Sequence, residues 1–328
     1  MKKIKAVVMG GGTGTFAVVS SLKKLDWDIT TIIAVSDSGG STGRIRDEFG
    51  FQPVGDLRQS LAALADVDGQ DWIQKILLYR FEKGTGLKGH NLGNLILTAL
   101  QDMTGSTTKS LEIAEKVFNL TGTVIPVTED TVDLKIHYTN GETAVGEHIL
   151  DEKIDEPHSI DHVSLIPKCN INPKAADAIK EADIIIIGPG DFFASIMATL
   201  VFPEIPTLFA QSKAKKVYIE NLMTRFTQTH DMSANDHLKK IEETVQSKMS
   251  YILFNNDSIP EEAVALYASV KEYPVKDDLP NSENVIRIPL INTELHHKQK
   301  YDTAYRSLLR HDYKKLSQVL ESIMKEKA

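Results

Sequence analysis

The residues best suited to chemistry in this chain are polar groups set among glycines. Gly10-Gly11-Gly12-Thr13-Gly14-Thr15 directly follows the apolar run Ala6-Val7-Val8-Met9. Glycines permit a tight turn and a close approach of backbone to ligand, and the N–H groups opening the next helix can hold a phosphate. Thr13 and Thr15 add hydroxyl donors. The run lacks the Lys-Ser/Thr pair of a P-loop and is not a clean dinucleotide fingerprint. Ligand binding is the favoured reading of this loop, and a tight structural turn is the alternative.

A second polar run, Ser36-Asp37-Ser38-Gly39-Gly40-Ser41-Thr42-Gly43-Arg44-Ile45-Arg46, follows the apolar stretch 29–35. It reads as a flexible loop at the same sheet edge as the first. Gly40 and Ser41 offer backbone and hydroxyl contacts. Arg44 and Arg46 either grip phosphates or pair with Asp47 and Glu48. Asp37 and Asp56 form a candidate carboxylate pair for a divalent cation such as Mg2+ bridging a diphosphate. Asp56 serves equally well as a helix cap, in which case it bonds backbone and no metal.

Later positions extend the set. Lys88-Gly89-His90-Asn91-Leu92-Gly93-Asn94 leads into an apolar helix and presents His90, Asn91 and Asn94 near its start. A lone histidine is more often structural than catalytic. Four isoleucines, 184–187, end in Gly188-Pro189-Gly190-Asp191, which makes Gly190 a pocket candidate. Asn221 holds the equivalent place after Val217-Tyr218-Ile219. The remaining histidines, His296 and His297 included, lack tight metal-ligand spacing. No Ser-His-Asp arrangement and no Gly-x-Ser-x-Gly elbow is legible, so no catalytic residue is assigned.

These groups need a scaffold that brings strand ends together. The β–turn–α–β opening and the strand-like runs at 184–187, 216–220, 251–255 and 285–289, separated by helical segments, predict a Rossmann-like α/β sandwich with a mostly parallel sheet. Its ligands bind at the carboxyl edge. The alternating segment near 122–165, with its turn Thr139-Asn140-Gly141-Glu142, predicts a small antiparallel hairpin inserted into a single domain spanning 1–328.

Composition narrows the classes. The chain has 328 residues, 41% hydrophobic and 25% charged, with a net charge of −8. Such an acidic chain is a poor general nucleic-acid binder. A single cysteine, Cys169, excludes a disulfide framework and a four-cysteine zinc site. No apolar run approaches the ~20 residues needed to span a bilayer, and no secretory signal is legible. A cytoplasmic location without membrane insertion is the expectation.

Taken together, the chain resembles the family that joins the bacterial gluconeogenesis factors, also described as cell-shape and UDP-sugar-binding proteins, with the phospholactate transferases of deazaflavin coenzyme synthesis. The marks are Gly10 to Gly14, Asp37 to Arg46, Gly55-Asp56-Leu57-Arg58, Gly89 to Leu95, Pro126-Val127-Thr128, Gly188-Pro189-Gly190, Asn221-Leu222-Met223-Thr224 and Arg310-His311-Asp312. They run over nearly the whole chain and favour the gluconeogenesis-factor branch. That branch implies a nucleotide-sugar ligand of the UDP-N-acetylglucosamine type and a regulatory role in carbon metabolism, cell-wall assembly and cell shape. It also implies contacts from Tyr267 and Arg310. The transferase branch implies Mg2+ on Asp37 and Asp56 and passage of a phospholactyl group from a guanosine diphosphate carrier to a deazaflavin. A nicotinamide-dependent oxidoreductase is suggested only by the first glycine run. An unidentified protein partner and a homodimer are expectations of the resemblance, with Phe192 or the 132–138 hairpin as candidate interface.

Three departures from the family pattern stand out. Ser38 replaces the second of two adjacent aspartates. Asp191 follows Gly190 where a serine is typical, placing negative charge near a phosphate. Arg225 stands where a glutamine is typical, and it offsets Asp191 if the two meet.

Overall fold

The computed structural model describes residues 3–65, 71–152, 155–292 and 307–326. The pair His296-His297 lies outside them. The core is a seven-stranded sheet built from β1 (Lys5–Gly10), β2 (Asp28–Ile33), β3 (Thr123–Pro126), β7 (Ile184–Ile187), β8 (Lys215–Ile219), β9 (Tyr251–Asn255) and β10 (Val285–Ile288), in the order β10-β9-β8-β7-β1-β2-β3. Every pairing in it is parallel. This is the Rossmann-like α/β arrangement predicted from the sequence. Ile184 to Ile187 are all fully buried, as a central strand covered on both faces requires.

The strand order explains the site. From β1 the chain builds outward to β2 and β3, then crosses back to β7 and builds the other way. The loops leaving β1 and β7 therefore diverge and leave a crevice at their carboxyl ends, where open sheets bind ligands. Helices α1 (Gly12–Leu22), α2 (Gly40–Phe49), α3 (Gly55–Leu64), α4 (Asp71–Leu78), α5 (Leu92–Thr104) and α6 (Thr107–Val117) lie between β1 and β3. Helices α7 (Pro173–Glu181), α8 (Ala198–Leu200), α9 (Ile205–Gln211), α10 (Ala234–Val245) and α11 (Glu261–Ala268) follow on the other side, and α12 (Tyr313–Lys325) closes the chain against α1. A π-helical turn, Phe192–Met197, precedes α8.

Several expectations are corrected. The second glycine run is not a flexible loop: α2 starts at Gly40, and a Cβ on Gly43 would overlap the Ser38 carbonyl. Residues 123–126 belong to the main sheet as its edge strand. The inserted antiparallel sheet is instead β4 (Asp133–Tyr138), β5 (Thr143–Val145) and β6 (Ile160–Ile166), in the order β5-β4-β6. Phe192 is only 2% exposed and stacks on His237, so it cannot offer interface surface. A last two-stranded ribbon, β11 (Ile291–Asn292) with β12 (Arg310–His311), runs antiparallel beside the crevice. Among the described residues no single helix is long and apolar enough to cross a membrane.

Candidate functional site

A cleft of about 430 Å3 opens at the crevice between β1 and β7. Of the residues singled out in the sequence, Gly11, Gly12, Thr13, Gly14, Asp37, Asp56, Asn94, Gly190, Asn221, Tyr267 and Arg310 line it. Arg44, His90 and Asn91 are not among its lining residues; the side chains at Gly40 and Ser41 lie outside the described ones.

The floor is the turn from β1 into α1. Gly11 is the N-cap of α1, with no capping side chain, so the first helical N–H groups face the cleft. Gly12 has φ +64° and open space where a Cβ would point. Gly14 has no such room, because a Cβ there would overlap the Pro189 carbonyl. Close contact between the β1 and β7 loops thus requires glycine at 14. Thr15 is not a ligand donor: it is fully buried and its hydroxyl donates to the Gly11 carbonyl at 3.1 Å.

The β7 loop is pinned from β8. Asn221 Oδ1 accepts from the Gly190 N–H at 3.1 Å, and Asn221 Nδ2 donates to the Gly190 carbonyl at 2.9 Å. Asn221 is in turn fixed by Glu220, whose carboxylate accepts from the Asn221 N–H at 2.8 Å, from Tyr218 Oη at 3.0 Å and from His237 Nδ1 at 2.8 Å. Glu220 and His237 are both fully buried.

One end of the cleft is acidic. Asp37 Oδ1 accepts from the Gly39 N–H at 2.8 Å. Asp56 is the second residue of α3, whose N-cap is Val54, so the cap reading of Asp56 is corrected and its carboxylate lies against Gly11. Glu147, not foreseen from the sequence, comes from the inserted sheet on the 3-10 turn Glu147–Asp151 and accepts from the Ser38 N–H at 3.5 Å. Its pKa is pushed well above the usual carboxylate range by burial first, then by Asp37, Asp151, Asp191 and Asp56. At Ser38, the hydroxyl accepts from the His148 N–H and lies 3.0 Å from His148 Nδ1. Among the described residues no set of three His, Cys, Asp or Glu groups is placed to hold a metal ion by itself. The donors still suit Mg2+, which typically takes one or two carboxylates and completes its shell with water and ligand phosphates.

Next to this end, Arg58 Nε donates to Asn94 Oδ1 at 2.7 Å and Nη1 donates to the Leu77 carbonyl at 3.2 Å. Asn91 caps α5 by accepting from the Asn94 N–H, which explains its absence from the cleft. Burial, and then the nearby Arg44, pushes the His90 pKa below the usual imidazole value. Arg46 pairs with Asp133 at 2.7 Å, neither with Asp47 nor with Glu48.

A second group of lining residues belongs to one apolar cluster. Leu222, Met223, Tyr267 and Leu309 line the cleft together with Arg310 and His311. The Tyr267 hydroxyl accepts from the Leu308 and Leu309 N–H groups at 2.9 and 3.1 Å, so it holds the β12 approach in place.

The same sequence marks match a family model, 2-phospho-L-lactate transferase CofD, over residues 6–319. The chain belongs to the CofD family. Within it, the gluconeogenesis factor of Bacillus subtilis is 35% identical over 331 residues, covering 99% of both chains. The gluconeogenesis factor of Listeria monocytogenes is 37% identical over 263 residues, 79% of this chain and 80% of that one. A Bacillus halodurans crystal structure superposes with a TM-score of 0.87 at 32% identity, covering 98% of this chain and 99% of the other. The CofD-family fold therefore extends over essentially the full length, insertion and β11–β12 ribbon included.

Proposed function

We propose that this CofD-family chain binds a nucleotide sugar of the UDP-N-acetylglucosamine type and acts without catalysis, as a regulator of carbon metabolism and of cell-wall assembly and cell shape. The observation that carries the reading is the mixed lining of the cleft. The glycines and N–H groups that open α1, the side chains of Tyr267 and Leu309, and the carboxylates of Asp37 and Asp56 all line it. A diphosphate suits the helix N–H groups. A base suits the apolar side chains. The hydroxyls and amide N–H of an N-acetylated sugar suit carboxylate acceptors. The naming of relatives as gluconeogenesis factors, one of them matched over 99% of both chains, supports the regulatory role.

The transferase reading has one observation in its favour, the convergence of Asp37, Asp56 and Glu147. Seven carboxylates and four arginines line the cleft among the described residues, so a diphosphate entering it gains from Mg2+ held by Asp37 and Asp56. When bound, the cation would neutralise phosphate charge; the chain's own groups would position the ligand.

Incubation separates the two. Purified protein with UDP-N-acetylglucosamine and Mg2+ is expected to leave the nucleotide sugar unconsumed. Transfer of phospholactate from a guanosine diphosphate-linked donor to a deazaflavin alcohol would instead establish the transferase reading.

A further inference from the structure

His311 lines the cleft yet is only 5% exposed. Its Nε2 has no hydrogen-bond partner among the described residues. Nε2 is the ring nitrogen left without a partner, and the ring interacts with the Glu220 backbone; assigning that contact to Nδ1–H and the Glu220 carbonyl leaves Nε2 of the neutral ring as an acceptor. That carbonyl is well fixed: the Glu220 N–H donates to the Leu253 carbonyl at 3.0 Å, and its carboxylate is held by Tyr218, Asn221 and His237. Burial pushes the His311 pKa down to about 4, so the ring is neutral near pH 7. A buried acceptor without a donor carries a desolvation cost that a fitting ligand removes.

The lone pair restricts what can sit against it. Phosphate and carboxylate oxygens are acceptors and are repelled. Leu222, Met223 and Leu309, which line the same cleft, suit the flat, weakly polar face of a nucleoside. We propose that His311 is the specificity residue for the nucleoside half of the ligand, its Nε2 accepting a hydrogen bond from an uncharged N–H of the base or O–H of the ribose. The proposal rests on the nucleotide-sugar reading.

The test is a set of calorimetric titrations with UDP-N-acetylglucosamine and with its N3-methyl, 2′-deoxy and 3′-deoxy analogues. Each is run on the wild-type protein, His311→Phe and His311→Gln. A site built around a donor rejects the ligand that lacks it, so one analogue is expected to bind the wild type at least about tenfold more weakly. Loss in the N3-methyl arm assigns the base; loss in a deoxy arm assigns the ribose. In His311→Phe that penalty shrinks to less than about threefold, and His311→Gln, which restores an acceptor, brings it back. If His311→Phe does not fold, His311→Leu takes its place in the same comparison. Wild-type binding with all analogues within about threefold of the parent, or an equal penalty in His311→Phe, overturns this proposal and leaves the nucleotide-sugar reading standing. No binding of UDP-N-acetylglucosamine by the wild type overturns both.

Discussion

Arg225 bridges two carboxylates from different parts of the chain: its Nη1 lies 3.4 Å from Asp191 Oδ1 in the β7 loop, and its Nη2 bonds Asp151 of the insertion. Arg225 is largely buried, whereas both partners are partly exposed. The bridge tethers the inserted sheet to the β7 loop and offsets the charge that Asp191 brings to the cleft. Arg225→Ala removes the cation between Asp151 and Asp191 beside Glu147. It is expected to cost about 1 kcal/mol of stability, because solvent already screens both carboxylates. Ligand binding in this variant is expected to weaken and to become more sensitive to added salt, as read by titration at two ionic strengths. Unchanged affinity and salt dependence would mean that the bridge does not shape the site.

Two glycines in one turn are predicted to fail differently. Gly14→Ala drives a methyl group into the Pro189 carbonyl, an overlap expected to cost about 1–3 kcal/mol of stability. Gly12→Ala meets no neighbour and costs about 1 kcal/mol through its left-handed backbone, but it places a methyl group at the ligand surface. Thermal unfolding is therefore lowered more in Gly14→Ala, whereas Gly12→Ala loses more affinity than its modest destabilisation explains. The reverse order would contradict the packing described for this loop.

Away from the cleft, Glu115 accepts from the Val124 N–H at 2.6 Å, tying α6 to the edge strand β3. Burial raises its pKa to about 7. In the unfolded chain it titrates near 4.5. Between those values the folded state holds more protons, so this group's contribution to stability falls as pH rises from about 4.5 to 7. Glu115→Gln keeps the acceptor and removes the titration. Relative to wild type it is expected to gain roughly 1–2 kcal/mol at pH 8 and to lose that advantage at pH 4. Denaturant titrations at the two pH values measure the difference.

How much was legible follows from what each residue depends on. Gly11 to Gly14, Asp37, Gly190 and Asn221 all lie at strand ends, and a parallel sheet brings its strand ends to one edge whatever the details of packing. That part of the cleft could be read from local pattern. Glu147 could not, because Gly146-Glu147-His148 carries no local signal and reaches Asp37 only when the inserted sheet folds over the crevice. His311 was visible as part of a motif, but its open Nε2 depends on Glu220, which is 91 positions away in sequence. The helix α2 was missed because four of the first five residues in Gly39-Gly40-Ser41-Thr42-Gly43 are glycine or serine. The small size of Gly43 serves close packing against Ser38, where flexibility was inferred. The segment 192–200 gave no periodic signal, since every residue in it is buried and hydrophobic alternation disappears.

The central claim is that the cleft binds a nucleotide sugar through the chain's own groups, with any cation secondary. Calorimetric titration of the wild-type protein with UDP-N-acetylglucosamine, with Mg2+ and with chelator, tests it most directly. The prediction is saturable one-to-one binding, changed only modestly by chelator, weakened by Arg310→Ala and unmatched by GDP. Binding of GDP alone, dependent on Mg2+ and abolished in Asp37→Asn, would contradict it and place the chain with the transferases.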